Sequence, residues 1–247
     1  MTSDPPSALG GSSADAGDAV IPRLNVPTVE GPAQLRVLPG APGPRGERGT
    51  VLLGHGAGGQ RDAADVLALT ALTDDGWTVV LVDQPWRVAG RKVATRPPAL
   101  DRAFEDILAV AADRSWQDAH GVDLPRPWIL GGRSAGARVA CRTSLDPGHP
   151  ERPRDGIAGV VALAFPLHPP GRPDRSRAEE LAGPVGAGLP TLVVQGRADP
   201  FGSPEEIRDA IGGPALTLHA VPGNHSPSRD LDTVLGHVRD FLTSLGR

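Results

Sequence analysis

What most limits this chain is an alternation, sustained from about residue 50 to the end, of short apolar runs with amphipathic segments. The runs are Thr50–Gly54, Thr78–Asp83, Trp128–Gly132, Gly159–Phe165, Thr191–Gln195 and Ala215–Val221, with an earlier strand expected near Leu35–Leu38. Most are continuously apolar, as in parallel strands buried on both faces. Between them, Leu100, Phe104, Ile107, Leu108 and Ala111 keep one helical face, as do Leu231, Val234, Leu235, Val238 and Leu242. Ser203-Pro204-Glu205-Glu206 is a helix start, with an N-cap serine, proline in the first turn and glutamate at the capping-box position. Repeated β-α alternation predicts a mostly parallel sheet with helices on both faces.

Composition narrows the functional classes. The 247 residues, 39% of them hydrophobic, suffice for one α/β domain with a substantial core. Residues 1–20, rich in Ser, Gly, Ala, Asp and Pro, are expected to form a disordered tail, with one domain over 21–247. A second Pro/Gly-rich stretch, Pro39 to Gly49, reads as a turn joining two early strands. No apolar run approaches the roughly 18 residues of a membrane span. The N-terminus has neither the basic nor the apolar region of a secretory signal, so the expectation is a cytoplasmic protein with no membrane partner. A net charge of −4 gives no electrostatic reason to expect nucleic acid. Cys141 is the only cysteine, which excludes an intrachain disulfide, and the histidines and acids show no metal-ligand spacing. No metal or cofactor is expected. Lys92 is the only lysine, and the Arg, Ala, Gly and Pro bias is that of a GC-rich bacterial genome.

Gly132-Arg133-Ser134-Ala135-Gly136 matches G-x-S-x-G, with an apolar strand running in and a helix of small residues running out. Such a turn is so tight that only glycine tolerates the approach of strand and helix, and it thrusts the serine up at the sheet's carboxyl edge. There, the helix N-terminus favours a developing anion. An N-cap serine in a glycine-rich turn would read the same way.

A serine hydroxyl is a poor nucleophile unless a base takes its proton and a third group orients that base. Asp199 follows the strand Thr191–Gln195, and His225 follows the strand Ala215–Val221 shortly before the last helix. Each has a plainer reading, an Asx-turn before Pro200 and a solvated loop histidine. Their order and placement, each after its own strand, nevertheless suit an acid and a base beside Ser134. An oxyanion needs two converging backbone N–H groups. Ala135 would supply one, and Ala57, in the loop Gly54 to Gly59, the other. His55 reads as holding that loop by hydrogen bonds, and with Arg133 and His168 it is counted among the residues near substrate.

Gly54, Gly56 and Gly59 also satisfy G-x-G-x-x-G, with Asp83 closing the next strand near where a dinucleotide-binding domain places its ribose acid. That reading leaves Ser134, Asp199 and His225 unexplained.

The blocks GHGAGG, QPWRVAGRKVATRPPAL, GGRSAGARVA, FPLHPPGRP, VVQGRADPFGSPEEI and GNHSP together resemble one branch of the α/β-hydrolases. This is the KANL/Tex-type family related to dienelactone hydrolases. The resemblance runs from about Thr50 to the end. It implies the α/β-hydrolase fold with about eight strands, and it places Ser134, Asp199 and His225 at the family's triad positions. It implies a serine hydrolase, and it speaks to the fold and the site far more than to the substrate. It also leaves open a hydrolase-fold protein that binds a partner with little turnover, since some eukaryotic relatives are subunits of chromatin-associated complexes.

Only about twenty-five residues separate Phe165 from Thr191, room for a minimal lid of one short helix and hence an open site. Within that stretch His168 reads first as a member of a proline-rich turn and second as a substrate contact. Arg87, Arg91, Lys92 and Arg96 form a basic loop that is either a solvated surface or a grip for an anionic substrate. Cys141, two helical turns past Ser134, reads as a packing residue.

Overall fold

A computed structural model describes residues 21–42, 48–58, 63–226 and 230–246. The expected tail, Gly59 and the middle of the Pro39–Gly49 stretch lie outside the described residues. An eight-stranded sheet runs in the order β1-β2-β4-β3-β5-β8-β9-β10. Its members are β1 (Leu24–Val26), β2 (Ala33–Leu38), β3 (Gly49–Gly54), β4 (Trp77–Asp83), β5 (Trp128–Arg133), β8 (Ile157–Leu163), β9 (Thr191–Gly196) and β10 (Leu216–Val221). β1 and β2 run antiparallel, and all pairings from β4 to β10 are parallel. Two strands absent from the sequence reading, β6 (Leu145–Asp146) and β7 (His149–Pro153), form a small separate ribbon. β2 pairs with β4, so the Pro39–Gly49 stretch joins strands that are not neighbours.

The helices are α1 (Ala64–Ala68), α2 (Pro85–Val88), α3 (Pro97–Ala112), α4 (Arg114–His120), α5 (Ala135–Thr143), α6 (Ala178–Gly186), α7 (Pro204–Ala210) and α8 (Leu231–Ser244). None among the described residues is long and apolar enough to cross a membrane.

The continuous apolar strands bury both faces because each face carries its own core. In β3, Leu52 joins a cluster with Val80, Leu130 and the α3 residues Phe104 and Ile107. Its neighbours Val51 and Leu53 join the opposite cluster, with Val79, Ile129 and the α8 residues Val234 and Val238. Each fully buried Leu, Ile or Phe contributes about 1.5–3 kcal/mol from removal of its apolar surface from water. α7 starts as its sequence predicts, with Ser203 Oγ accepting from Glu206 N at 3.2 Å and Glu206 Oε2 accepting from Ser203 N at 2.7 Å.

Between β8 and β9 the only helix is α6, so nothing of lid size covers the carboxyl edge there. The molecule has an α/β-hydrolase fold without an evident lid.

Candidate active site

The site forms where β5 turns into α5. Ser134 has φ 53° and ψ −107°, one of two non-glycine residues with positive φ among those described. A residue is held in so sparsely populated a conformation only when its surroundings over-determine it. Here glycines do so. A Cβ on Gly132 would lie 2.3 Å from the Gly54 carbonyl oxygen, and one on Gly136 2.4 Å from the same atom. The ends of β3 and β5 and the start of α5 therefore meet backbone to backbone, and Ser134 is lifted above them.

Asp199 and His225 arrive from the loops after β9 and β10. Those adjacent strands pair in parallel, and Ala198 N donates to the Gly223 carbonyl at 2.9 Å, tying one loop to the other. His225 Nδ1 donates to Asp199 Oδ2 at 2.8 Å, and its Nε2 lies 2.9 Å from Ser134 Oγ. Asp199, buried at 5% exposure, also accepts from Gln195 Nε2 at 2.9 Å and from Phe201 N at 2.9 Å. These bonds fix both carboxylate oxygens and leave the imidazole one orientation. The Phe201 ring packs on the His225 ring with centroids 4.1 Å apart. The three residues singled out from sequence thus form one hydrogen-bonded chain.

Ala57 and Ala135 line the same cleft, an open space of about 390 Å³ beside Ser134 and His225. The Gly56 carbonyl accepts from His55 Nδ1 at 2.9 Å and from Arg87 Nη2 at 3.4 Å. Across a trans peptide, the Ala57 N–H points opposite to that carbonyl. Two side chains thus set the direction of the amide assigned to the oxyanion.

His55 itself is buried, with Nε2 accepting from Gln84 N at 3.2 Å and the ring edge-on to Trp86. It holds the loop and is not among the cleft's lining residues. Arg87, from the basic loop, lies over the Trp86 ring at 4.5 Å and reaches back to Gly56. Arg133 borders the cleft but is engaged elsewhere: Nε donates to Asp65 Oδ2 at 3.0 Å, and Nη2 to the His225 carbonyl and Ser226 Oγ. It clamps the histidine loop to the elbow. His168 is buried away from the cleft lining, with Nδ1 on the Pro169 carbonyl and Nε2 3.2 Å from Glu206 Oε1.

Asp83, the ribose acid of the dinucleotide expectation, is buried at the end of β4 and accepts from Arg23 Nη1 at 2.9 Å. Gly54 meets the backbone of α5, so the glycine serves close packing of strand on helix. Cys141 is buried, and desolvation pushes its thiol up to about 12. Among the described residues no group of three His, Cys, Asp or Glu could hold a metal ion.

Sequence reasoning did not find Gln195, Phe201, Arg138 or Arg177. Gln195 carried the one available signal, a polar residue ending an apolar strand; the others follow only from packing.

Residues 47–232 match the family described as the alpha/beta hydrolase domain. Among curated proteins no sequence matches. Solved structures with a similar fold include a lidless α/β serine hydrolase from Xanthomonas campestris, 20% identical, covering 90% of this chain and 94% of that one at a TM-score of 0.63. A dienelactone hydrolase from Anabaena variabilis is 17% identical, covering 90% and 96% at 0.64. A thermophilic esterase from Thermogutta terrifontis is 18% identical, covering 91% and 99% at 0.58. At these identities the likeness is one of fold.

Proposed function

The chain belongs to the alpha/beta hydrolase domain family, and on that premise we propose that it is a serine hydrolase of small ester-like acyl substrates. The observation that carries this reading is the chain from Asp199 Oδ2 through the His225 ring to Ser134 Oγ, at 2.8 and 2.9 Å. Esterases and a dienelactone hydrolase share the fold, and the cleft is open, which suits small or flexible acyl groups.

In this mechanism, His225 Nε2 takes the Ser134 proton while Ser134 Oγ attacks the carbonyl carbon. Asp199 holds the Nδ1 proton and stabilises the imidazolium. The Ala57 and Ala135 amides take the oxyanion, each worth a few kcal/mol in such sites. The tetrahedral intermediate collapses as the leaving oxygen takes the proton from His225, which leaves an acyl ester on Ser134. Water, giving its proton to His225, then attacks that ester and releases the acid. No group beyond this chain and water enters a step.

The test is reaction of the purified protein with a fluorophosphonate probe, with the adduct located by peptide mass spectrometry. The expected result is a single adduct on Ser134, absent in His225→Ala, together with loss of short-chain esterase activity in Ser134→Ala. Full esterase activity in Ser134→Ala would sink the assignment.

A further inference from the structure

Beside Ser134 the cleft wall carries Arg138 and Arg177 in addition to Arg133. The carboxylates around them are already committed. Asp65 pairs with Arg133. Glu180 takes Arg138 through Nε at 2.8 Å and Nη2 at 2.5 Å, and it also accepts from Arg142, whose other partner is Asp101. Arg177 is different. Its Nη1 donates to the Pro166 carbonyl at 3.1 Å, and among the described residues no carboxylate lies within ion-pair distance of it. Burial disfavours its charge, and the neighbouring Arg138 guanidinium adds to that effect. The Glu180 carboxylate, already shared by Arg138 and Arg142, opposes it, and Arg142 in turn offsets Glu180. A guanidinium does not escape such a setting by losing its proton. A half-buried cation facing a cleft, with donors to spare in a planar fork, fits a carboxylate supplied by the ligand.

Resting on the serine-hydrolase reading, we propose that Arg177 makes this site selective for small esters that carry a carboxylate. The fork would hold that carboxylate while Ser134 attacks the ester carbonyl. Pro166, whose carbonyl fixes the guanidinium, and Phe201 supply the apolar surface between the two groups. The net charge of −4 belongs to the whole chain and does not describe this wall, where the cations outnumber their partners.

The experiment compares p-nitrophenyl hemiglutarate with p-nitrophenyl pentanoate, of similar length but uncharged, in the wild type and in Arg177→Gln. Glutamine keeps a donor for Pro166 and removes the charge. A charge-assisted pair in a partly dry site predicts that kcat/KM favours the hemiglutarate by about tenfold or more, and that the ratio falls by about tenfold in the variant. Arg177→Lys should keep part of the preference, as a charge without the fork.

A second readout does not need turnover: calorimetric binding of monomethyl glutarate to Ser134→Ala, with and without Arg177→Gln. Both esters hydrolysed at equal kcat/KM, or a preference unchanged in Arg177→Gln, overturns the anion site and leaves the hydrolase reading standing. Neither ester hydrolysed, but glutarate binding that weakens about tenfold with Arg177→Gln, upholds the anion site and counts against the hydrolase. No binding at millimolar ligand overturns the proposal.

Discussion

Arg133 Nε donates to Asp65 Oδ2 at 3.0 Å, with the two side chains 12% and 2% exposed. The same guanidinium reaches the His225 carbonyl and Ser226 Oγ. One residue from the serine turn thereby ties α1 to the loop that carries His225. Burial pushes the Asp65 carboxyl above its ordinary range, and the Arg133 charge pulls it back. Removing the arginine leaves a buried acid with the Val66 N–H on Oδ1 but no cation beside it. Arg133→Met should cost about 3 kcal/mol of stability. It should also lower kcat by about tenfold or more, because a small displacement of His225 misaligns the proton transfer proposed for it. Asp65→Asn in the same background should cost far less than it does alone. Thermal melts and kcat of the single and double variants check both, and additive losses would show that the pair is not coupled.

Gln195 Nε2 donates to Asp199 Oδ2 at 2.9 Å and also faces the carbonyls of Phe165 and Gly202. It therefore fixes Asp199 against the floor of the site. A hydrogen bond to a charged group contributes about 1.5–3 kcal/mol, so Gln195→Leu should lower kcat by about tenfold to a hundredfold. KM should change little, since Gln195 is buried behind the acid and is not part of the cleft wall. A rise in KM with unchanged kcat would remove Gln195 from the positioning role.

These two residues mark what a sequence can and cannot convey. Five of the six main-sheet strands from β3 onward were legible because burial makes each a nearly continuous apolar run. β10, only partly buried, was legible from its place in the β-α alternation. Ser134, Asp199 and His225 were legible because each closes such a run at the same edge. Arg133 lay inside the motif, yet its direction toward Asp65 depends on how α1 packs, which no local pattern encodes. His168 follows a strand in the chain, but its side chain turns to Glu206 of α7 and away from the cleft. β1 is only three residues long, and β7 has no apolar alternation, so neither left a periodic signal. Arg177 lies in a stretch rich in arginine and proline between β8 and β9, and only its place in the cleft wall distinguishes it.

Gly136 tests the elbow without touching chemistry. A Cβ there would sit 2.4 Å from the Gly54 carbonyl oxygen and 2.5 Å from its carbon, and both are backbone atoms that cannot swing aside. Gly136→Ala should therefore destabilise by about 3 kcal/mol or misplace Ser134. At Gly58, where a Cβ meets nothing within 4 Å, alanine should be tolerated by the fold. Circular-dichroism melts of the two variants should differ by several degrees, and equal melting would mean that the strand–helix contact is looser than the geometry implies.

Acid should loosen the far edge of the sheet first. His219 of β10 stacks on His237 of α8, with ring centroids 3.8 Å apart and planes 6° from parallel. Burial holds the His219 pKa below its ordinary value, the His237 ring adds to this, and Asp240 opposes it. The unfolded chain then binds the His219 proton more readily than the folded one. Stability contributed by this site is thus complete above the unfolded pKa, about 6.5 for histidine, and is lost as pH falls from there toward the lower folded value. The urea midpoint should be lower at pH 5.5 than at pH 7.5. His219→Gln should shrink that difference, since glutamine has no proton to gain. A pH dependence equal to wild type in His219→Gln would assign the acid sensitivity to groups elsewhere in the fold.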